Sequence, residues 1–224
     1  MKKLLPASVS AFALLSVLAL AACDDPAKGK AKATTSEAVP TATATANSGT
    51  PSVTETAAAK TYVFDATTSK VSWVGSKVTG KHDGGFKTFT GTIKAPDGAP
   101  EKGSVNVEID AKSIFSDQDK LTNHLMSKEF FEVETYPKAT FTSTKIEKGG
   151  DKGATHTITG NLTMHGQTKS VSFPATVKVE GDTVSVDAEF AINRKDFGLN
   201  YPGKADDLIR DDVVIKLAVK AKKS

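Results

Sequence analysis

Hydrophobic and polar residues alternate with a period of two over most of the chain from Tyr62 onward. Each alternating run predicts a strand with one apolar and one polar face. The pattern predicts about eight such strands, which is typical of antiparallel sheets with one buried face. Their apolar faces are Val71 and Trp73; Phe89, Gly91 and Ile93; Val105, Val107 and Ile109; Ala139 and Phe141; Ile158, Gly160, Leu162 and Met164; Val171, Phe173, Ala175, Val177 and Val179; Val184, Val186, Ala188, Phe190 and Ile192; and Val213, Ile215, Leu217 and Val219.

Short glycine-containing turns join most of these runs, for example at His165-Gly166 and Glu180-Gly181-Asp182. Hairpin connections between half-buried strands favour an up-and-down barrel or a sandwich, so the predicted fold class is all-β. Eight strands closed into a barrel leave an interior that side chains fill, or share with one small ligand. The alternation alone leaves both outcomes open, and the filled core is the commoner one.

The alternation breaks once, between Ser116 and Thr144. Ser116 with Asp119 resembles a capping box at a helix start, and a stripe of apolar residues follows at helical spacing. Tyr136-Pro137 then forces an extended exit into the next strand. The sequence therefore predicts one short helix, at about 117–131, packed on the barrel as a lid or plug. The stripe consists of Leu121, Leu125, Met126, Phe130 and Phe131.

The first 22 residues form a predicted secretory signal peptide, with Lys2 and Lys3 ahead of an apolar run that ends at Leu20. The following Ala21-Ala22-Cys23 resembles the end of a bacterial lipobox, in which the cysteine is acylated. Cys23 is the single cysteine of the chain, and acylation explains a lone cysteine in an exported protein. The alternatives are a plain cleaved signal peptide or a retained membrane anchor, although the run is short for a span.

The segment 23–60 is rich in Ala, Thr, Ser, Pro and Lys and contains no aromatic residue before Lys60. Such a composition predicts a disordered tether, with a mean span of roughly 35 Å. The domain 61–224 is long enough for one sizeable core. We therefore expect a lipid-anchored protein of the bacterial periplasm, and Asp24 directly after the cysteine favours retention at the inner membrane.

Charge and composition exclude several functions. Removing Lys2 and Lys3 lowers the formal charge from +3 to about +1, which argues against a nucleic-acid partner. The four histidines are scattered without the spacing of a zinc site, so no metal and no cofactor is predicted. No serine has the context of an activated nucleophile, so the chain is predicted not to be an enzyme.

Three polar residues are candidates for a headgroup contact or for a structural role. His124 and His165 are expected to be structural histidines that bond nearby backbone or cap a turn. Arg194, if buried, needs an anionic partner, for which Asp196 or a ligand headgroup is the candidate. Asp206, Asp207, Asp211 and Asp212 lack the pattern of a calcium loop and are expected to be solvated.

Several segments are similar to the YceI-like family. Leu121–Phe131 with Tyr136–Thr144 resembles its most characteristic block, Gly160–Lys169 its second and Asn193–Gly198 its third. Tyr62–Asp65, Ser69 and Trp73 resemble its first strand. One departure is that many members carry Arg-Asp where this chain has Leu121 and Thr122.

The resemblance implies a lipocalin-like antiparallel barrel of eight strands that binds a polyisoprenoid or quinone-like lipid in the periplasm. It shifts the expectation from a filled core to a ligand tunnel, although core packing stays open for each residue. Two alternatives remain: an accessory partner, redox or enzymatic, acting on a quinone or lipid, and a filled barrel that serves as a protein-interaction module. The predicted ligand-binding residues are Trp73, Phe89, Ile93, Val107, Leu125, Phe131, Phe141, Leu162, Met164, Phe173, Phe190 and Ile192.

Overall fold

The computed structural model describes residues 25–40, 59–96 and 99–224. Short 3-10 turns occupy Pro100–Lys102, Ala111–Ser113, Asp151–Gly153 and Arg194–Phe197. The strands and the helix are β1 (Ala31–Lys32), β2 (Thr34–Glu37), β3 (Lys60–Asp65), β4 (Lys70–Lys77), β5 (Gly80–Phe86), β6 (Phe89–Ala95), β7 (Ser104–Asp110), β8 (Ile114–Ser116), α1 (Asp119–Met126), β9 (Lys138–Lys148), β10 (His156–Met164), β11 (Gln167–Glu180), β12 (Thr183–Asn193), β13 (Gly203–Lys204), β14 (Asp207–Leu208) and β15 (Asp212–Lys223).

The main sheet closes on itself as a barrel. Three of its strands are bent and interrupted: β3 continues into β4 along one edge of β15, β5 continues into β6, and β7 continues into β8. Counting each of these pairs as one strand gives eight antiparallel strands in chain order, and the pairing of β12 with β15 closes the ring. The all-β, eight-stranded, lipocalin-like barrel predicted from the alternation and the family resemblance is confirmed.

The interior of the barrel is filled from its middle to the end where β11 turns into β12. Phe173 stacks on Phe190 with ring centroids 4.3 Å apart. Glycines make room for other rings: a Cβ at Gly91 would lie 2.0 Å from Cζ of Phe64. Aromatic rings therefore occupy the space that these glycines leave in the core.

Helix α1 lies across the opposite end of the barrel and is shorter than the predicted 117–131. The N-cap residue is Gln118, whose side chain makes no capping hydrogen bond to the first turn. The predicted capping box is therefore wrong. Ser116 Oγ instead accepts from the Gln118 amide at 3.1 Å and closes a local turn before the helix. After Met126 the chain continues in tight turns, in which the Phe131 amide donates to the Leu125 carbonyl at 3.0 Å.

The described N-terminal residues, 25–40, are not a free tether, and the prediction of one is corrected for this segment, which we call the strap. Strands β11 and β12 pair only between 176–180 and 183–187, so their edges diverge beyond that point. The strap bridges the split: β1 pairs parallel with β12, and β2 pairs antiparallel with β11. Backbone groups on open edges need partners, and the strap supplies them.

The predicted signal peptide 1–22, Cys23, Asp24 and the part of the predicted tether from 41 to 58 lie outside the described residues. Within the ranges that the structure covers, none of the helices has the length and hydrophobicity to cross a membrane.

Candidate ligand-binding site

A cavity of about 460 Å³ opens at the barrel end that carries α1. The register brings the β4–β5 hairpin, the β10–β11 turn and the loop after β12 to this end. Pockets of about 300–1,000 Å³ are typical of small-molecule sites. The lining residues are Trp73, Gly75, Ser76, Lys77, His82, Phe86, Gln118, Lys120, Leu121, His124, Leu125, Phe130, Phe131, Met164, Ile192, Arg194, Leu199, Ile209, Val213 and Ile215.

Trp73 forms part of the inner wall. Its cross-strand partner is Gly84, and a Cβ there would lie 2.2 Å from the indole Cζ2. Glycine is therefore required at position 84 for the ring to lie flat against β5. At Gly75 the situation differs, since a Cβ would make ordinary contact with the indole, 3.6 Å from Cζ3. Trp73 packs in a second apolar cluster with Ile114 and Leu125 from the β8–α1 region.

The α1 segment supplies the lid, through Leu121, His124 and Leu125 from the helix and Phe130 and Phe131 from the turns after it. The His124 ring lies edge-on to Phe130, with centroids 5.0 Å apart, and its Nε2 lies 2.5 Å from Glu129 Oε2. These contacts fix the imidazole in the wall of the cavity.

His124 also contacts the loop that follows β12. Its ring lies 4.9 Å from that of Tyr201, centroid to centroid. Phe130 also packs on Tyr201, with ring centroids 5.1 Å apart, so the lid and the loop are joined through an aromatic cluster of three rings.

Arg194 is buried, with 4% of its surface exposed, and it holds the loop that follows β12. Its Nε donates to the Arg210 carbonyl at 3.1 Å, and its Nη1 donates to the Leu199 carbonyl. Its Nη2 lies 3.4 Å from Asp211 Oδ1. The predicted partner Asp196 is wrong, because the carboxylate in reach is that of Asp211.

Burial lowers the pKa of the Arg194 guanidinium, and Asp211 acts in the opposite direction. An arginine stays protonated under such conditions, so the cavity wall carries a fixed positive charge. Because backbone carbonyls take up most of its donors, the first role of Arg194 is to shape the loop.

The rim of the cavity is more polar than its interior. Gln118 and Lys120 are exposed, and His82 Nδ1 lies 2.9 Å from Asp117 Oδ1. Trp73, Leu125 and Ile192, by contrast, are buried. An apolar slot with a polar mouth complements a molecule with an apolar chain and a polar head.

The sequence model of the YceI-like domain matches residues 62–221. The chain belongs to the YceI-like family. Among curated relatives, a UPF0312 protein of Pseudomonas putida is 34% identical over 139 residues, which are 59% of this chain and 71% of the relative. A UPF0312 protein of Pseudomonas syringae pv. tomato is 32% identical over the same shares.

Solved structures show the same barrel. BcnA of Burkholderia cenocepacia superposes with a TM-score of 0.63 at 28% identity, over 71% of this chain and 99% of BcnA. A polyisoprenoid binding domain from Saccharophagus degradans superposes with a TM-score of 0.57, over 74% of this chain and 99% of that domain. Its identity of 17% shows a common fold only.

Within this YceI-like domain, five of the predicted ligand-binding residues line the cavity: Trp73, Leu125, Phe131, Met164 and Ile192. The other seven belong to the packed half of the barrel. Phe89, Ile93, Phe173 and Phe190 are buried there, and Val107, Phe141 and Leu162 pack against them.

Of the three polar candidates, His124 and Arg194 line the cavity of the YceI-like domain and His165 does not. His165 occupies the β10–β11 turn with φ at 51°, where its Nδ1 donates to the Phe197 carbonyl at 3.1 Å and its ring packs on Tyr136. Sequence reasoning did not place Phe86, Phe130, Leu199, Val213 and Ile215 at the site. Phe130 lies within the break in alternation, and Leu199, Val213 and Ile215 lie in or directly after the long loop that follows β12, whereas no sequence signal points to Phe86.

Across the parts of the YceI-like chain that the structure covers, no three His, Cys, Asp or Glu side chains come together in a way that could hold a metal ion. His82 and His124 each face a carboxylate, and His165 faces a backbone carbonyl. These three histidines therefore have structural partners.

Proposed function

We propose that this protein is anchored to a membrane on the periplasmic side through a lipid on Cys23, and that it binds a polyisoprenoid-type amphiphilic lipid in its barrel. The observation that carries the proposal is the cavity of about 460 Å³, apolar inside and polar at its rim. Sequestering or carrying such a lipid needs no catalytic group, and we propose a binding protein, not an enzyme.

The chemistry of the walls fits a hydrocarbon chain. Such a chain is held by the removal of apolar surface from water, at about 25 cal/mol per Å². Trp73, Phe131 and Met164 offer large apolar surfaces, and Met adapts readily to an irregular chain. The polar head of the ligand, an alcohol, a quinone or a phosphate, would lie towards Gln118 and Lys120 at the rim.

Family membership supports the proposal, and so does the common fold with the Saccharophagus degradans domain, which is named for polyisoprenoid binding. Anchoring is supported by the lipobox-like end of the leader at Cys23.

The first experiment is native mass spectrometry of the protein purified from bacterial membranes, with solvent extraction of the same sample. A discrete added mass that matches a long-chain lipid is expected. Delipidated protein should take up a polyprenol or quinone, with a change in emission from Trp73, the single tryptophan. No added mass and no uptake would overturn the proposal.

A cavity-filling variant sharpens this test. Gly75→Val places a branched side chain in the cavity, where a Cβ meets Trp73 at normal contact distance. We expect it to fold and to lose lipid uptake. Gly80→Val is the matched control, because a Cβ at Gly80 has no neighbour within 4 Å and Gly80 does not line the cavity. Equal uptake by both variants would place the lipid elsewhere.

A further inference from the structure

The strap is fixed to the barrel along its first half. The Ala33 amide donates to the Ala191 carbonyl at 2.8 Å, and the Ala33 side chain is buried in the main core. Lys30 pairs with Glu189, and Lys32 pairs with Asp212, each at 3.0 Å. These contacts hold the chain at the split between β11 and β12.

The second half of the strap is held as well. Glu37 pairs with Lys169 at 2.7 Å. The Asn161 side chain accepts from the Val39 amide at 3.0 Å and donates to the Val39 carbonyl at 2.6 Å. Because the strap is bonded at both ends, its first residue has a defined position on the barrel.

That first residue, Asp25, lies beside the cavity. Asp25 Oδ2 is 3.5 Å from Nη1 of Arg210. The Arg210 backbone in turn bonds two residues of the cavity wall: its amide donates to the Ser76 carbonyl at 2.9 Å, and its carbonyl accepts from Arg194 Nε at 3.1 Å. Asp25 therefore contacts Arg210, and Arg210 in turn bonds two residues that line the cavity.

The same end of the barrel exposes two large apolar side chains next to each other, which we call the rim pair. Val78 is 55% exposed and Leu208 is 50% exposed. The Val78 amide donates to the Leu208 carbonyl at 3.2 Å. Adjacent exposed apolar side chains near a cavity mouth are typical of an interaction surface.

We propose that the rim pair contacts the lipid bilayer and that the strap holds the cavity mouth against it. Cys23 precedes Asp25 by two residues, so the chain can separate them by about 7 Å at most. A tether of the length predicted from sequence would instead allow roughly 35 Å. The lipid would then pass between bilayer and cavity without crossing bulk water. The inference rests on the proposed acylation of Cys23.

The test uses the full chain, acylated in a bacterial host and placed in vesicles of phosphatidylethanolamine and phosphatidylglycerol. The acylated Cys23 has no free thiol. Val78→Cys and Leu208→Cys therefore each introduce the single thiol to which an environment-sensitive dye can be attached. A quencher carried on the lipid chains should extinguish the dye at both positions. The control is Asp182→Cys, exposed in the turn at the opposite end of the barrel, where the dye should stay bright. Equal quenching at positions 78 and 182 would overturn the proposal.

A strap variant separates orientation from anchoring. Ala33→Glu places a charge at a buried position and should release the strap, so that the dye at position 78 loses its quenching while the protein stays on the vesicles. Thr34→Glu adds the same charge at an exposed position and should leave quenching unchanged. Quenching that survives Ala33→Glu would refute the role of the strap. If the unaltered chain itself fails to bind vesicles, the acylation in the proposed function is what has failed.

Discussion

Arg194 shows how one buried charge organises the cavity wall. Its guanidinium joins the start of the loop after β12 to the Leu199 carbonyl and to the Arg210 carbonyl, so the loop is bonded to itself through a single side chain. Leu199 and Ile209, which flank these contacts, line the cavity. The shape of the cavity therefore depends on a residue whose side chain mainly bonds backbone.

Arg194→Met is expected to lower the free energy of unfolding by about 2–4 kcal/mol, because several buried carbonyls lose a charged donor. Lys195→Met is the matched control. Lys195 also pairs with Asp211, at 2.9 Å, but its side chain is half exposed, and such pairs contribute less than about 1 kcal/mol. Urea unfolding followed by Trp73 fluorescence measures both variants. Similar losses in the two would show that Arg194 acts only as a surface charge.

His156 lies at the end of the barrel opposite the cavity, and its burial predicts that the stability of the barrel depends on pH. It is buried, its Nδ1 lies 2.8 Å from Thr155 Oγ1, and its Nε2 has no hydrogen-bond partner among the residues that the structure covers. Burial lowers the pKa of His156; Glu101 opposes that shift, and Lys148 adds to it. The folded state therefore favours the neutral ring.

We expect the free energy of unfolding to fall as the pH drops below about 6.5. In this range His156 is protonated in the unfolded chain but stays neutral in the folded state. The fall is at most about 1.4 kcal/mol per pH unit and ends below the lowered pKa of the folded state. The difference between wild type and His156→Gln in urea unfolding at several pH values isolates this contribution. A constant difference across the range would contradict it.

At the scale of the elements, the alternation of hydrophobic and polar residues was sufficient to predict the strands. Alternation and the family resemblance identified the strands of the barrel and its all-β class, and the break in alternation located the helix. The helix bounds were too wide because Phe130 and Phe131 continue the apolar stripe in turns after Met126. The strap was missed because its two strands are two and four residues long, too short for alternation to show.

The strap should behave as a unit in hydrogen exchange. Releasing it by Ala33→Glu removes the partners of β11 at 169–172 and of β12 at 190–191, whose backbone groups then face water. We expect exchange at these edges to speed up by at least about tenfold, with the β12–β15 pairing unaffected. Thr34→Glu should leave both regions protected. Faster exchange spread evenly over the barrel would indicate a global loss of stability instead.

At the scale of the whole molecule, the barrel interior has two compartments along its axis. Phe89, Phe173 and Phe190 pack in the middle of the barrel, Tyr62 and Val184 fill one end, and the cavity around Trp73 occupies the other. Alternation tells which side chains point inward but not how far along the axis they lie. For this reason the sequence identified inward-facing residues well, yet placed only five of the twelve predicted ligand-binding residues at the cavity.

The two compartments predict separable effects of two phenylalanine substitutions. Phe141 packs on Phe173, with ring centroids 5.8 Å apart, so Phe141→Ala should cost about 3–5 kcal/mol of stability and leave lipid uptake intact. Phe131 lines the cavity and meets Phe86 edge-on at 6.3 Å, so Phe131→Ala should weaken uptake.

A bound lipid stabilises the folded state by about 2.7 kcal/mol at a hundred times its dissociation constant. That increment, measured by urea unfolding with and without a polyprenol, should persist in Phe141→Ala and shrink in Phe131→Ala at the same lipid concentration. The reverse pattern would place the lipid in the half of the barrel that the aromatic core fills.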